Sequence, residues 1–401
     1  MANIPSYPTI PALLDTTMFP VDSGIQSFKT TGAQMKAYMT AQIETLLNQM
    51  KRDFYLQGLS AFTETTKMSD GTADASIVRP FIAGSPDFPV LAFYAQTSTP
   101  NSRIWYWTGA LWGWSGLPLH GNFGSVNFRD PATGTWIRTG NQYTSPYTAK
   151  VLRSGSGYTM FTQQDLALVG SSGFNQWSAG AANDAGLCML LAWNDDDSQG
   201  FATSINGGAS WTKLTRPAVF DRVSSDGLKW GNGTWVAMSN NMNPDVANFV
   251  NEPYYSTDDG VTWTKCDYPA QTDFDYGQGK LWFLQGRFYW SHPLCLMTSV
   301  DGITWTETNY KNQNLGARIN SMIYHAPTGL MMMMGTNTSI SWLRFSMDGV
   351  NWTTANFTMQ NYLREIIYSG GKFAAYVNYE APRPFYIWHS PTIANIALPG
   401  I

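Results

Sequence analysis

The stretch Ser299-Val300-Asp301-Gly302-Ile303-Thr304-Trp305 decides the fold, because the chain writes it again and again. Ser346-Met347-Asp348-Gly349-Val350-Asn351-Trp352 keeps the Ser, Asp, Gly and Trp at the same offsets. Ser256-Thr257-Asp258-Asp259-Gly260-Val261-Thr262-Trp263 and Ser204-Ile205-Asn206-Gly207-Gly208-Ala209-Ser210-Trp211 keep them with one residue inserted before the glycine. In each, Ser and Asp (or Asn) side chains can accept backbone N–H groups inside a tight turn, and Gly can take a positive φ. The Trp then re-enters a strand and offers a large apolar surface to a neighbouring sheet. The turn reads as a hairpin joining two strands of one unit.

Working outward, each turn is preceded by a strand, a glycine-containing turn and a strongly apolar strand. Examples are FDRVSSDGLKWGNGTWVAMS, INSMIYHAPTGLMMMMG and LREIIYSGGKFAAYV. The units begin near Phe123, Phe174, Phe220, Phe274, Ile319 and Leu363, 44 to 54 residues apart. That is the period of propeller blades. An earlier unit is visible around VLAFYAQ and RIWYWTGALWGW, and LRSGSGYTMF reads as an eroded copy of the turn. The expectation is a mainly β fold, a seven-bladed β-propeller of four-stranded repeats over 77–401. The last unit has no clear fourth strand of its own, and Ile77 to Ile82 is expected to complete it and close the ring.

The recurring turns resemble the Asp-box repeats of sialidases and many other propellers. The resemblance implies that Ser204, Asn206, Trp211, Ser256, Asp258, Trp263, Ser299, Asp301, Trp305, Ser346, Asp348 and Trp352 are scaffold, away from any ligand. It specifies a fold and not an activity.

The first sixty residues differ. Residues 1–22 are Pro-rich and read as an extended arm. Met35, Met39, Ile43, Leu46 and Met50 form one apolar stripe on a helix over 33–53. So narrow a stripe must pack elsewhere or pair with copies of itself. Residues 61–76 read as a polar linker. The run from Asp15 to Met39 resembles the N-terminal segment of bacteriophage tail-fibre and related virion proteins, with Asp15, Phe19, Pro20, Asp22, Gly24, Phe28, Lys29 and Thr30 matching. That resemblance implies attachment to other virion proteins through the arm, a homotrimer, and residence in a virion made in the host cytoplasm.

Composition narrows the partners. The net charge of -4 speaks against a nucleic-acid binder. The chain has no run of about 18 apolar residues, so no membrane insertion is expected, and its first residues lack the pattern of a signal peptide. Cys188, Cys266 and Cys295 show no metal spacing and read as free thiols of a reducing compartment. His120, His292, His325 and His389 are scattered. No cofactor, metal site or catalytic residue is expected.

Chain order predicts where a ligand would sit. In a four-stranded meander, the first-to-second and third-to-fourth turns share one end, and the remaining connections share the other. The long connections 141–148, 194–200, 240–253, 285–293 and 378–384 are placed at that second end, where function on a rigid scaffold is expected. Two of them supply the candidate receptor residues. Arg287, Tyr289, Trp290 and His292 can stack on a sugar ring and bond its hydroxyls, unless Phe288 and Trp290 begin a strand and face the core. Asn240, Asn241, Asn243 and Asp245 offer polar groups for the same purpose. Asp195, Asp196 and Asp197 read as a solvated acidic turn, with a cation as the alternative. The functional expectation is a tail fibre or spike that recognises a host-surface glycan or protein receptor. The alternatives are a purely structural virion protein and a glycan hydrolase. For the last, the sialidase arginine motif is only echoed at Arg79-Pro80. Arg318 and Arg364 suggest no arginine triad, and nothing fixes the separation of Asp245, Glu252 and Glu380.

Overall fold

The computed structural model describes residues 19–21, 28–30, 33, 36–41, 63–65, 76–84, 89–96, 103–107, 112–116, 122–142, 148–155, 162–165, 177–192, 200–220, 222–243, 248–269, 279–292, 295–311, 318–326, 329–337, 340–359, 362–369, 372–378 and 386–389. The chain divides into two compact units, Met1–Gln57 and Gly58–Ile401.

In the smaller unit, β1 (Phe19–Val21) pairs antiparallel with β2 (Phe28–Thr30). Phe19 stands opposite Thr30, Pro20 opposite Lys29 and Val21 opposite Phe28. Residues 36–41 are helical, with Met39 half-buried and its described neighbours exposed. The other stripe residues, Met35, Ile43, Leu46 and Met50, lie outside the described residues.

The larger unit is mainly β. Its strands are β3 (Thr63–Thr65), then β4 (Ser76–Gly84), β5 (Pro89–Gln96), β6 (Arg103–Trp107) and β7 (Trp112–Gly116) in a first sheet. A second sheet holds β8 (Asn122–Arg129), β9 (Trp136–Gln142), β10 (Thr148–Ser154) and β11 (Thr162–Asp165). The third holds β12 (Trp177–Ala182), β13 (Cys188–Ala192), β14 (Phe201–Ser204) and β15 (Thr212–Leu214). The fourth holds β16 (Val223–Gly231), β17 (Thr234–Asn243), β18 (Asn248–Ser256) and β19 (Thr264–Lys265). The fifth holds β20 (Leu281–Leu284), β21 (Arg287–His292), β22 (Cys295–Ser299) and β23 (Thr306–Lys311). The sixth holds β24 (Arg318–His325), β25 (Leu330–Asn337), β26 (Ile340–Ser346) and β27 (Thr353–Met359). A last sheet orders β28 (Tyr362–Ser369), β29 (Lys372–Asn378), β30 (Tyr386–His389) and β3. The first strands of successive sheets lie side by side, and β28 returns beside β4.

The closing strand is therefore β3, not Ile77 to Ile82. Ile77 to Ile82 belongs to β4, the first strand of its own sheet. Thr63, Glu64 and Thr65 pair with His389, Trp388 and Ile387. The reason lies in the length of the polar stretch read as a linker: it supplies three β-compatible residues ahead of a full first strand. That stretch is thus partly strand, and the larger unit begins at Gly58.

Position in the sheet explains composition. Second strands are flanked by a sheet on each side, so they bury both faces and read as apolar runs: every residue of Cys188–Ala192 is buried, and so are Leu330 to Met334. Fourth strands face solvent, so Thr212–Leu214 and Thr264–Lys265 are largely polar and exposed. Four described apolar clusters fill the spaces between the second and sixth sheets. Each Trp of the recurring turn packs into the cluster shared with the preceding sheet: Trp211 with Ile137, Trp263 with Phe220, Trp305 with Val236 and Met238, Trp352 with Tyr289.

Candidate functional site

The two ends of the sheet assembly are built differently. At the first, the four Ser-x-Asp turns share one pattern. The Ser hydroxyl donates to the Asp or Asn carbonyl oxygen: Ser204 to Asn206 (2.9 Å), Ser256 to Asp258 (2.8 Å), Ser299 to Asp301 (2.9 Å), Ser346 to Asp348 (2.9 Å). The same Ser oxygen accepts the glycine N–H, from Gly208, Gly260, Gly302 and Gly349 at 2.9–3.0 Å. The acid then accepts N–H groups further along, Thr262 on Asp258 and Asn351 on Asp348. The indole N–H groups of Trp263, Trp305 and Trp352 close the turn on the carbonyls of Gly260, Gly302 and Gly349. These bonds set the acids' proton affinity. The Thr262 hydroxyl and N–H and the Ser256 hydroxyl hold Asp258 down at about 2. Burial works against ionisation of Asp348, yet Asn351, Val350 and Ser346 outweigh it and bring the carboxyl to about 2. An acid so held carries no proton to donate at neutral pH.

This end is also stitched from sheet to sheet. Arg153 donates to the Gly207 carbonyl, Asn183 to Asp259, and Asn232 to the carbonyls of Gly286 and Val300. Polar groups here are spent on one another.

The second end carries the remaining connections. Two of the expected loops are corrected by the strand assignment. Gln285-Gly286 is the tight turn between β20 and β21, at φ 51° and 71°, so it lies at the first end. Arg287 to His292 is strand β21. Tyr289 is 0% exposed and Trp290 1%, and buried rings of this kind cannot stack on a sugar from solution. The alternation explains it: Phe288 and Trp290 point into the cluster with the fourth sheet, Tyr289 into that with the sixth. Arg287 is half-buried at the opposite end of the strand from His292. The 240–253 stretch is likewise mostly strand. Asn240, Asn241 and Asn243 belong to β17 and stand opposite Asn251, Val250 and Asn248. Asn240 is 7% exposed. Asp245 lies outside the described residues, as do the side chains of Asn241 and Asn243 and the whole Asp195-Asp196-Asp197 run.

Trp290 lies in the cluster between the fourth and fifth sheets with Met238 and Tyr268, and Asn240 is buried on β17. His292 stands edge-on to Trp290 at 5.1 Å, and Tyr268 at 5.5 Å from the other side. Burial, with Lys311 nearby, pushes His292 down to about 4, so it is neutral at pH 7.

Sequence reasoning missed a second polar group, because its members are separated in the chain. Glu252 on β18 receives Lys265 (2.5 Å), the Tyr254 hydroxyl (3.3 Å) and the Tyr268 hydroxyl (3.4 Å). A Tyr–Glu pair is a feature a sialidase-like hydrolase would need. Here burial, then the Glu252 charge, raises both tyrosines. Both phenols stay protonated as donors, and the group sits on the outer strands of one sheet, not beside the first strands. Near the first strands, Lys280 reaches Asp226 (3.4 Å) and the Asn320 carbonyl (3.1 Å), tying three sheets together. Arg318 is exposed at the start of β24. The side chains of Arg79 and Arg364 lie outside the described residues. Among the described residues no group of His, Cys, Asp and Glu could hold a metal ion, and the three cysteines are free and buried.

No protein-family model matches the chain, and no curated protein does. Solved structures do. The β-propeller domain of the Trilobed protease from Pyrococcus furiosus aligns over 79% of this chain and 95% of its own, at 8% identity and TM-score 0.48. YCF48 from Cyanidioschyzon merolae aligns over 82% and 98%, at 10% identity and TM-score 0.46. A Trypanosoma rangeli sialidase aligns over 71% of this chain, at 12% identity and TM-score 0.42, and the match spans 57% of that chain. At such identities the likeness concerns fold alone.

Proposed function

We propose that the chain is a seven-bladed β-propeller of Asp-box repeats, carried on a bacteriophage virion as a tail fibre or spike, and that its long-connection end binds a host-surface receptor, a glycan. The observation that carries the reading is the division of labour between the two ends. At one end the polar groups are committed to the turns and to neighbouring sheets. At the other, the connections between strands differ in length and sequence from one sheet to the next, as expected where loops on a scaffold carry function. The virion half rests on the sequence resemblance of Asp15 to Met39 to tail-fibre N-terminal segments. Its matched residues Phe19, Pro20, Phe28, Lys29 and Thr30 pair across one small hairpin. That hairpin lies in the smaller unit, Met1–Gln57. Trimerisation through the helix and contact with other virion proteins belong to the same proposal.

The test has two arms. Mass spectrometry of purified phage particles should find the chain in the virion. The purified chain should bind a host envelope fraction and compete with phage adsorption. Presence in the virion without envelope binding would leave a structural protein. Release of reducing ends from host polysaccharide would instead make it a hydrolase.

A further inference from the structure

Asn232 and Gly233 form the two-residue turn between β16 and β17, with Gly231 and Thr234 paired at its base. Their φ values are 48° and 81°, as in the hairpin turn that Asn-Gly favours. Both residues are exposed. The Asn232 side chain reaches beyond its own sheet: Nδ2 donates to the carbonyls of Gly286 and Val300, each at 2.8 Å. One amide thus latches the fourth sheet to two turns of the fifth.

That amide is joined in sequence to the least hindered main-chain nitrogen a chain offers. A glycine has no side chain to shield its N–H or to restrict its backbone, and asparagine is among the chemically labile residues. Gly233 has open space around it, since an added Cβ would meet nothing within 4 Å. The sequence holds one other Asn-Gly pair, Asn206-Gly207, in the opposite surroundings. Asn206 Oδ1 accepts from the Ser204 hydroxyl and the Ser210 N–H, and its Nδ2 donates to Ser210 Oγ. Gly207 is buried, and a Cβ there would lie 2.6 Å from Thr133 Oγ1. The Asn206 bonds close inside one turn. Both latch bonds of Asn232 cross to another sheet, so a local parting of the two sheets frees it.

We propose that Asn232-Gly233 is a site of self-modification, an amide-to-acid conversion that undoes the latch between the fourth and fifth sheets. The Gly233 nitrogen bonds to Asn232 Cγ, the Cγ–Nδ2 bond breaks, and ammonia leaves with the Gly233 proton. Water then opens the cyclic imide at either carbonyl, giving aspartate or isoaspartate. One water is consumed, one ammonia is released, and nothing is oxidised. The product carboxylate is acceptor-only at neutral pH, so it faces two carbonyl oxygens with no proton to offer. Isoaspartate also adds a main-chain carbon to a turn of two residues. An opening that was reversible before the reaction is retained after it.

The full chain would be warmed at mildly alkaline pH beside a urea-unfolded sample, and both would be mapped by peptide mass spectrometry over time. The unfolded chain should convert at both Asn-Gly pairs. The folded chain should lose the amide at Asn232 while Asn206 keeps its own, and Gly233→Ala should suppress the loss. Asn232→Asp supplies the product directly. In that variant amide exchange should rise at the turns holding Gly286 and Val300, while the Asn206 turn keeps its protection; a melting curve checks that each variant folds. A folded chain that keeps Asn232 intact, or converts Asn206 first, overturns the site. Unchanged exchange at both fifth-sheet turns in Asn232→Asp overturns the latch.

Discussion

At the scale of single residues, the turn acids and the buried histidines give the protein two separate acid limits. Asp258 and Asp348 titrate at about 2 in the folded chain and near 3.9 when unfolded. A depressed carboxylate stabilises above its unfolded pKa and loses that contribution as pH falls through its folded one. The expected loss therefore runs from about pH 4 to about pH 2. It should be reduced in an Asp258→Asn, Asp348→Asn double variant, measured by thermal melting in steps of pH. The Asn is tolerable because Asn206 already fills the role, accepting from the Ser204 hydroxyl and the Ser210 N–H. The histidines act earlier. His325, buried against Tyr368 and Phe373, and His292 are held at about 4 by burial. Their folded values lie below the ordinary 6.5, so the unfolded chain binds their protons first. Stability is full above about pH 6.5 and falls as pH drops toward 4. Melting temperature should decline across that interval, and His325→Gln should flatten part of the slope.

At the scale of elements, the recurring turn is a wedge. Trp305 and Trp352 are buried against the preceding sheet. Replacing either with Ala should cost about 3–5 kcal/mol, read from denaturant unfolding. Gly349 is less forgiving than its size suggests. Its φ is 70°, and an added Cβ would fall on the Tyr289 hydroxyl, 1.8 Å away. Gly349→Ala should therefore destabilise by about 2–4 kcal/mol, backbone strain adding to overpacking. Gly233, with positive φ but nothing within 4 Å, should show only the smaller backbone effect. The turns were legible in the sequence because their chemistry is local: four residues at fixed offsets make all their own bonds. The Arg287 to His292 stretch was legible only as an alternative, that Phe288 and Trp290 begin a strand and face the core, which is what the structure shows. A second strand lies between two sheets, so its two faces carry aromatics alike. The alternation that marks a half-buried strand is then missing, and the run resembles a binding loop. Asn240 was noticed for its polarity, but its burial depends on how the sheets pack. Glu252, Tyr254, Lys265 and Tyr268 came together by cross-strand register for the same reason.

At the scale of the whole molecule, the order of sheets follows the order of the chain except at one place. β3 precedes the first sheet in sequence and completes the last one. Among the described residues, three pairs make that junction. Proline at both Thr63 and Glu64 would remove one N–H from it, since adjacent residues face opposite edges of the strand, and amide exchange in β30 and β29 should then rise while the third and fourth sheets keep their protection. Unchanged exchange in β30 would mean the junction does not hold the last sheet.

The same junction has a consequence for biosynthesis. β3 leaves the ribosome before any other described strand of the larger unit, and its partner β30 is translated more than 300 residues later. At about 5–20 residues per second, that interval is on the order of 15–65 s. For that time β3 is a short strand without its partner, at risk of pairing with the wrong sheet. Its three residues, two of them threonine and one glutamate, are polar enough to wait without aggregating.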